Sequence, residues 1–426
     1  MNAFLKRQVY LSALLSLVPF LKPPDRSLVA LLWMPKLLAG ALSPILGIVG
    51  ALGAVLGFLR RDWKLAGAGF LGAGLVARYL RDIPASGAQF KATFGPDGAG
   101  RHPDTVRSRR WSLPASAPGD VQFEPNLVYG QNPTSGEALL ADLWQPGTGA
   151  PRTGLGVLYI HGGGWRIGMK DMATRTFFRR LAGQGHVILD IAYTLWPEAD
   201  LPTMVTEVKQ AIRWLKENAP AYGLDTERIV LMGGSAGAHL ALLAAYTPNH
   251  PAFQPAPEAG DTSVRGVVAF YPPVDFLTLS LQGGQRVASS PGFLDKAASG
   301  LMNRLFLLHA EDVEAKVGQK VDFDHFVAAL LGGSAAEMPE IYRLLSPLYH
   351  VGDHCPPTLL LHGSDDVFGL TPGVRRLHQV LQETGVPAVL VEFPHTEHGF
   401  DLILPQVSPV ARAATQDVIR FLALLA

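Results

Sequence analysis

The sequence predicts an α/β fold: a mostly parallel sheet with helices on both faces, preceded by a hydrophobic helical segment. Three observations predict it. From about residue 119 onward, short runs that are apolar throughout alternate with helical stretches. A G-x-S-x-G sequence, Gly233–Gly237, lies between one such run and an Ala/Leu-rich helix. An acidic pair and a histidine pair each follow a later apolar run. Strands that are apolar on both faces belong to parallel sheets buried between helices.

Bulk properties narrow the functional classes. The 426 residues carry 36 Lys+Arg and 36 Asp+Glu, so the net charge is zero. That gives no electrostatic footprint for nucleic acid. Cys355 is the only cysteine, which excludes an intrachain disulfide and argues against Cys-based metal sites. The mean hydropathy of +0.18 is high, and the excess sits at the N-terminus.

Residues 1–85 read as a membrane-associated helical segment. Leu37–Leu59 carries no charge and is long enough to cross ~30 Å of hydrocarbon. A shorter second span over 65–80 would complete a helical hairpin with "RRDWK" as its turn. Val9–Leu21 is too short to span and reads as interfacial. A secretory signal peptide is the competing reading, but no small-x-small cleavage site follows promptly. Lys36 and Arg78, near the span ends, read as snorkelling side chains. Basic residues flank both sides of the hairpin and leave its orientation open. Gly67, Gly69 and Gly72 spell G-x-G-x-x-G, yet no strand precedes them. Small residues here let helices approach closely, as Gly53 and Gly57 would also do.

Residues 86–118, rich in Pro, Gly, Ser and Arg, read as a linker. Residues 119–426 read as the α/β domain. "VQFEPNLVYG" and "EALLADLWQP" are paired leading strands. Leu155–Ile160, Val187–Tyr193, Arg228–Met232, Val264–Phe270, Thr358–Leu361 and Ala388–Phe393 are the further strands. Thr203–Asn218 places Val205, Val208, Ile212 and Leu215 on one helix face. Ala236–Tyr246, Pro372–Glu383 and Ala411–Leu425 are the other helices. Residues 277–342 break the alternation and read as a lid-like insertion.

The chemistry starts at Ser235. In G-x-S-x-G a sharp strand-to-helix turn exposes the serine, and glycines are needed because side chains would clash. A serine hydroxyl needs a base, and the base needs an orienting acid. Asp365 and Asp366 follow one strand; His395 and His398 follow the next. Loops beyond strand C-termini are where sites form in open α/β sheets. The residues alone do not choose within either pair. His239, four after Ser235, reads as packing under the turn. In "HGGGW", Trp165 and Arg166 stand where a phosphate loop would have Lys-Ser/Thr. The glycines read instead as backbone donors, with His161 anchoring the loop by hydrogen bonds. On that reading, replacing Gly163 should cut turnover far more than stability.

"HGGGW", "DIAYTLWPEADLP", "GGSAGAHLA", "PPTLLLHGSDD" and "HGF" resemble the α/β-hydrolase superfamily, in particular carboxylesterases of the hormone-sensitive-lipase-like and xylan/feruloyl-esterase-like group. The resemblance runs from about Val121 to the C-terminus. It implies the α/β-hydrolase fold, with Asp366 as acid, His398 as base, and an oxyanion hole on Gly163, Gly164 and the N–H of Ala236. "AYTLWPEAD" departs from the commoner Tyr-Arg-Leu-Ala-Pro-Glu pattern, and the N-terminal segment lies outside the pattern.

The expected function is membrane-tethered hydrolysis of a small-molecule or lipid-like carboxylic ester through an acyl-enzyme on Ser235. No metal or organic cofactor is needed for that chemistry. Lipase, deacetylase and amidase variants share the same triad. A non-catalytic ligand-binding protein on the same fold is the competing class.

Overall fold

The computed structural model describes residues 3–23, 26–95, 120–254, 260–280, 297, 300, 301 and 326–426. Eight strands form one sheet in the order β1-β2-β4-β3-β5-β6-β7-β8. They are β1 (Val121–Gln131), β2 (Ala138–Pro146), β3 (Gly156–Ile160), β4 (Val187–Ile191), β5 (Ile229–Gly234), β6 (Gly266–Phe270), β7 (Thr358–Gly363) and β8 (Ala388–Phe393). β1 pairs antiparallel with β2, and β2 antiparallel with β4. From β4 to β8 every pairing is parallel. The strands β3, β4, β5, β6 and β7 are buried at every residue. That is the burial their continuous apolar runs require.

The N-terminal helices are α1 (Ala3–Leu17), α2 (Arg26–Ala41), α3 (Ser43–Leu59), α4 (Trp63–Asp82) and α5 (Gly87–Phe94). Around the sheet lie α6 (Arg175–Ala182), α7 (Leu201–Glu217), α8 (Ala236–Tyr246), α9 (Thr371–Glu383) and α10 (Pro409–Leu425). α7 begins at Asp200, whose carboxylate accepts from Thr203 N–H at 2.9 Å. It buries Val205, Val208, Ile212 and Leu215 as its periodicity predicts. α8 is buried at every residue, in keeping with a sequence apolar on all sides.

One apolar layer joins Leu158, Ile160 and Leu231 to α7, α8 and α9. The other joins Val157, Val230 and Leu361 to α6 and α10. This second layer also contains Trp33, Leu37, Tyr79 and Phe90 from the N-terminal segment, buried among Phe393, Phe400 and Phe421. The first 94 residues are therefore partly built into the core of the sheet domain.

Three expectations need correction. Leu37–Leu59 is not one helix: α2 and α3 meet at 67° across Leu42. Pro44 stands in the first turn of α3, where its fixed φ and missing N–H suit a helix start, whereas Pro35 lies inside α2 without ending it. Among the described residues no single helix, including the one over 65–80, is long and apolar enough to cross a membrane. Nor is 86–118 linker from its start. α5 occupies its first part, where Arg420 donates to Ser86 Oγ at 2.8 Å and lies over the Phe90 ring. The rest of that stretch, from residue 96, lies outside the described residues, as does most of the expected lid over 277–342. Of the lid, short helices Phe326–Leu331 and Pro339–Leu344 are described.

The expected hairpin is present as α3 and α4. Its glycines admit direct backbone contact: a Cβ on Gly57 would lie 2.4 Å from Ala66 N, and one on Gly69 2.2 Å from Ala54 N. The trio α1, α3 and α4 is patterned with small residues inside. α1 buries Ser12, Ala13 and Ser16 and exposes Leu11, Leu14 and Leu17. α3 buries Gly50, Gly53, Ala54 and Gly57 and exposes Ile45, Ile48, Leu52, Val55 and Leu59.

Candidate active site

Ser235 caps α8 at the C-terminal end of β5, with φ 53° and ψ −119°. A non-glycine residue is found there only when its surroundings enforce it. The neighbours enforce it here. A Cβ on Gly233 would lie 2.5 Å from the Gly237 carbonyl carbon, and one on Gly237 2.0 Å from Ile160 O. Only glycine fits at either place. Ser235 N–H donates to Phe270 O at 2.9 Å, which ties the turn to β6.

The loops after β7 and β8 bring the other two groups. His398 Nε2 lies 2.9 Å from Ser235 Oγ, and His398 Nδ1 lies 2.8 Å from Asp366 Oδ2. With Nδ1–H donating to the carboxylate, Nε2 is left to accept the serine proton. Asp366 is buried, and its other oxygen accepts from Phe368 N–H at 2.9 Å. Burial alone would raise its carboxyl; the field and hydrogen bond of His398, with His362 and the Phe368 N–H, outweigh it and hold the group below its ordinary range. The His398 ring packs between Tyr271 and Phe368, with centroids 4.4 and 4.6 Å away.

The paired candidates separate cleanly. Asp365 turns away and pairs with Lys36 at 2.8 Å. His395 faces Asp82 of α4 at 3.4 Å. Lys36 therefore does not snorkel; its side chain is 4% exposed. Sequence reasoning missed it, along with Trp33, Tyr271, Phe368 and Glu397. A lone lysine inside an apolar run carries no signal of a partner more than 300 residues away.

Gly163 and Gly164 both have positive φ, 118° and 60°. Gly163 O accepts from Ile167 N–H at 3.0 Å and Arg166 N–H at 3.2 Å, closing a tight turn. The N–H groups of Gly163 and Gly164, and that of Ala236 at the start of α8, have no acceptor among the described residues. His161 Nδ1 contacts Gly162 O at 2.8 Å, and its ring stacks on Tyr193. Burial pushes the His161 imidazole down to about 4, so it is neutral near pH 7. His239 accepts from Trp165 Nε1–H at 3.2 Å and lies 2.7 Å from Leu345 O, linking the glycine loop to α8. One expectation changes: a Cβ on Gly163 would lie 1.9 Å from Ile167 O. Any side chain there breaks the turn itself, so stability and turnover fall together. Among the described residues no three His, Cys, Asp or Glu side chains are grouped so as to hold a metal ion.

Comparison with known proteins finds esterases among the relatives and the solved structures. The family profile described as BD-FAE matches residues 142–304, less than half of the chain. Esterase LipQ of Mycobacterium tuberculosis is 28% identical over 68% of this chain and 61% of its own length. The probable carboxylic ester hydrolase LipM of the same organism is 28% identical over 80% of this chain and 73% of its own. The match thus spans about three fifths of LipQ. Among solved structures, a truncated carbohydrate esterase from gut microbiota gives a TM-score of 0.53 at 20% identity, covering 73% of this chain and 98% of that one. Esterase B from Lactobacillus rhamnosis, inhibited by a C6-C4 compound, gives 0.52 at 20% identity, covering 80% and 97%. The sheet order, the strained serine turn and these likenesses make the chain an α/β-hydrolase in fold, with curated relatives that are ester hydrolases.

Proposed function

We propose that the chain hydrolyses carboxylic esters through an acyl-enzyme on Ser235. The carrying observation is the continuous relay from Ser235 Oγ through His398 to Asp366, with contacts of 2.9 and 2.8 Å. Ser235 Oγ attacks the ester carbonyl carbon while His398 Nε2 takes the hydroxyl proton. The carbonyl electron pair moves onto oxygen, where the N–H groups of Gly163, Gly164 and Ala236 receive it. The C–O bond to the alcohol then breaks, and His398 returns the proton to the departing oxygen. Water repeats the sequence on the acyl-enzyme and releases the acid. Asp366 keeps the imidazole oriented and offsets its charge. The test is covalent labelling by a fluorophosphonate, with Ser235→Ala as control. A chain that binds esters but neither labels nor turns them over is a binding protein instead. Acyl panels from acetyl to long chains, with amides alongside, separate the lipase, deacetylase and amidase variants.

A second element of this reading is membrane association through α1, α3 and α4. Its support is the pattern of leucines and isoleucines outside and glycines and serines inside, the arrangement of helices packed in lipid. In water, such exposed apolar area is unfavourable by about 25 cal/mol per Å². Lys6 pairs with Asp62 at 2.5 Å, which gathers Arg7, Arg60, Arg61 and Lys64 near one end of the trio, where anionic headgroups would meet them. The trio lies in the interfacial layer rather than crossing the bilayer, and a lipid-like ester is the substrate class this placement favours. Flotation with phosphatidylcholine vesicles, with and without phosphatidylglycerol, tests it. Leu52→Glu with Val55→Glu should abolish flotation; equal flotation of this variant contradicts the reading.

A further inference from the structure

We propose that Trp33 and Lys36 of α2 are positioning residues for His398 and Asp366, so that the N-terminal segment completes the catalytic site. This inference depends on the serine-hydrolase reading above. The two side chains lie one helical turn apart and so share a face of α2. Trp33 Nε1–H donates to the main-chain carbonyl of His398 at 2.8 Å. Its ring meets Phe368 edge-on at 5.8 Å, and Phe368 meets the His398 ring edge-on at 4.6 Å. Lys36 Nζ lies 2.8 Å from Asp365 Oδ2 and 2.8 Å from Glu397 Oε1. Asp365 is the covalent neighbour of Asp366, and Glu397 that of His398. One ammonium therefore fastens the acid loop to the base loop.

Burial makes this arrangement more than a surface contact. The side chains of Lys36, Asp365 and Glu397 are 4%, 8% and 0% exposed. Buried ions cost several kcal/mol each in desolvation, and a buried pair held for stability alone is often no better than apolar packing. Here the pair lies where a displacement of 1 Å in the loops would separate His398 from Ser235, a loss of about 10²-fold in rate. The surrounding charges are Lys22, 3.4 Å from Asp365; His362, 3.7 Å from Asp366; the pair His395 and Asp82; and, on the other side of the imidazole, Asp401, which accepts from the Tyr271 hydroxyl whose ring packs on His398. Without Lys36, Glu397 loses its partner and the Asp365 carboxylate, next to Asp366 in the chain, is left with Lys22 on the exposed side.

The test uses the full chain carrying Trp33→Phe, Lys36→Met or Lys36→Arg. Phenylalanine keeps ring contact with Phe368 and removes only the N–H. Circular dichroism establishes that each variant is folded. Fluorophosphonate labelling of Ser235 is then followed from pH 5 to 9, with kcat and KM for a short-chain ester. Trp33→Phe should lower kcat and the labelling rate about tenfold, the worth of one hydrogen bond, with KM within about twofold. Lys36→Met should lower both by about 10²-fold and move the acidic limb of the labelling profile up by about one pH unit, because the Asp365 carboxylate, no longer offset by the Lys36 ammonium, favours the protonated imidazole. Lys36→Arg should leave that limb in place. A staple that merely holds the N-terminal segment would change melting temperature and leave kcat and the limb unmoved. Wild-type rates in folded Trp33→Phe and Lys36→Met overturn the proposal. Should Lys36→Met fail to fold, an unchanged labelling rate in Trp33→Phe overturns it alone. A wild type that neither labels nor turns over an ester removes the serine-hydrolase reading and this proposal with it. A labelled wild type with unaffected variants removes only this proposal.

Discussion

The indole of Trp33 donates to the backbone carbonyl of His398 at 2.8 Å, across 365 positions of sequence. A residue of the N-terminal helix α2 thus holds the histidine that lies 2.9 Å from Ser235 Oγ. The N-terminal helices and the sheet domain meet at the candidate site.

Removal of the N-terminal segment checks this directly. A chain starting near Gln122 would strip Trp33, Leu37, Tyr79 and Phe90 from the layer that buries Phe393, Phe400 and Phe421. Large exposed apolar patches promote association. The truncated chain is expected to aggregate or melt well below the full chain, as differential scanning fluorimetry would show. Full activity in a monodisperse truncation would reduce the segment to a tether.

The glycine loop distinguishes shape from chemistry. Gly163→Ala drives a Cβ toward Ile167 O and is expected to cost several kcal/mol, lowering stability and turnover together. Gly164→Ala meets the ordinary penalty for a side chain at positive φ, about 1–2 kcal/mol. Its kcat should fall by more than its stability loss accounts for if, as proposed, its N–H serves the oxyanion, a contact worth about 3 kcal/mol. Urea melts and kcat measured on both variants check the contrast.

Stability should decline with rising pH through one identifiable group. Burial pushes the Glu397 carboxyl up to about 7 from its ordinary 4.5, with Lys36 opposing and Asp366 and Asp365 adding to the rise. Between these values the folded chain binds this proton and the unfolded chain does not. The group's stabilising contribution is complete below about 4.5 and is lost as pH rises through about 7. Glu397→Gln should therefore raise the melting temperature at pH 8 and leave it nearly unchanged at pH 5. Equal shifts at both would contradict the assignment.

Much of the fold could be read from the sequence because its signals are local. Apolar runs marked the strands, and Gly233–Gly237 marked the turn, since only glycine fits beside the neighbouring backbone. Choosing Asp366 over Asp365, and His398 over His395, needed the resemblance. Adjacent residues in one loop face opposite ways, and only the fold says which way Ser235 lies. The continuity of Leu37–Leu59 misleads because hydropathy does not register the 67° bend between α2 and α3. Lys36 was misread as snorkelling because an apolar run does not reveal that it packs against a carboxylate pair rather than ends at water.

On the proposed mechanism Ser235 is an activated nucleophile served by His398 and Asp366. The most direct measurement is mass-spectrometric mapping of fluorophosphonate adducts on the full chain, beside Ser235→Ala and His398→Ala. One adduct is expected, on the peptide bearing Ser235, absent from Ser235→Ala and at least about 10³-fold slower in His398→Ala. Equal labelling of all three, or an adduct elsewhere, would contradict it.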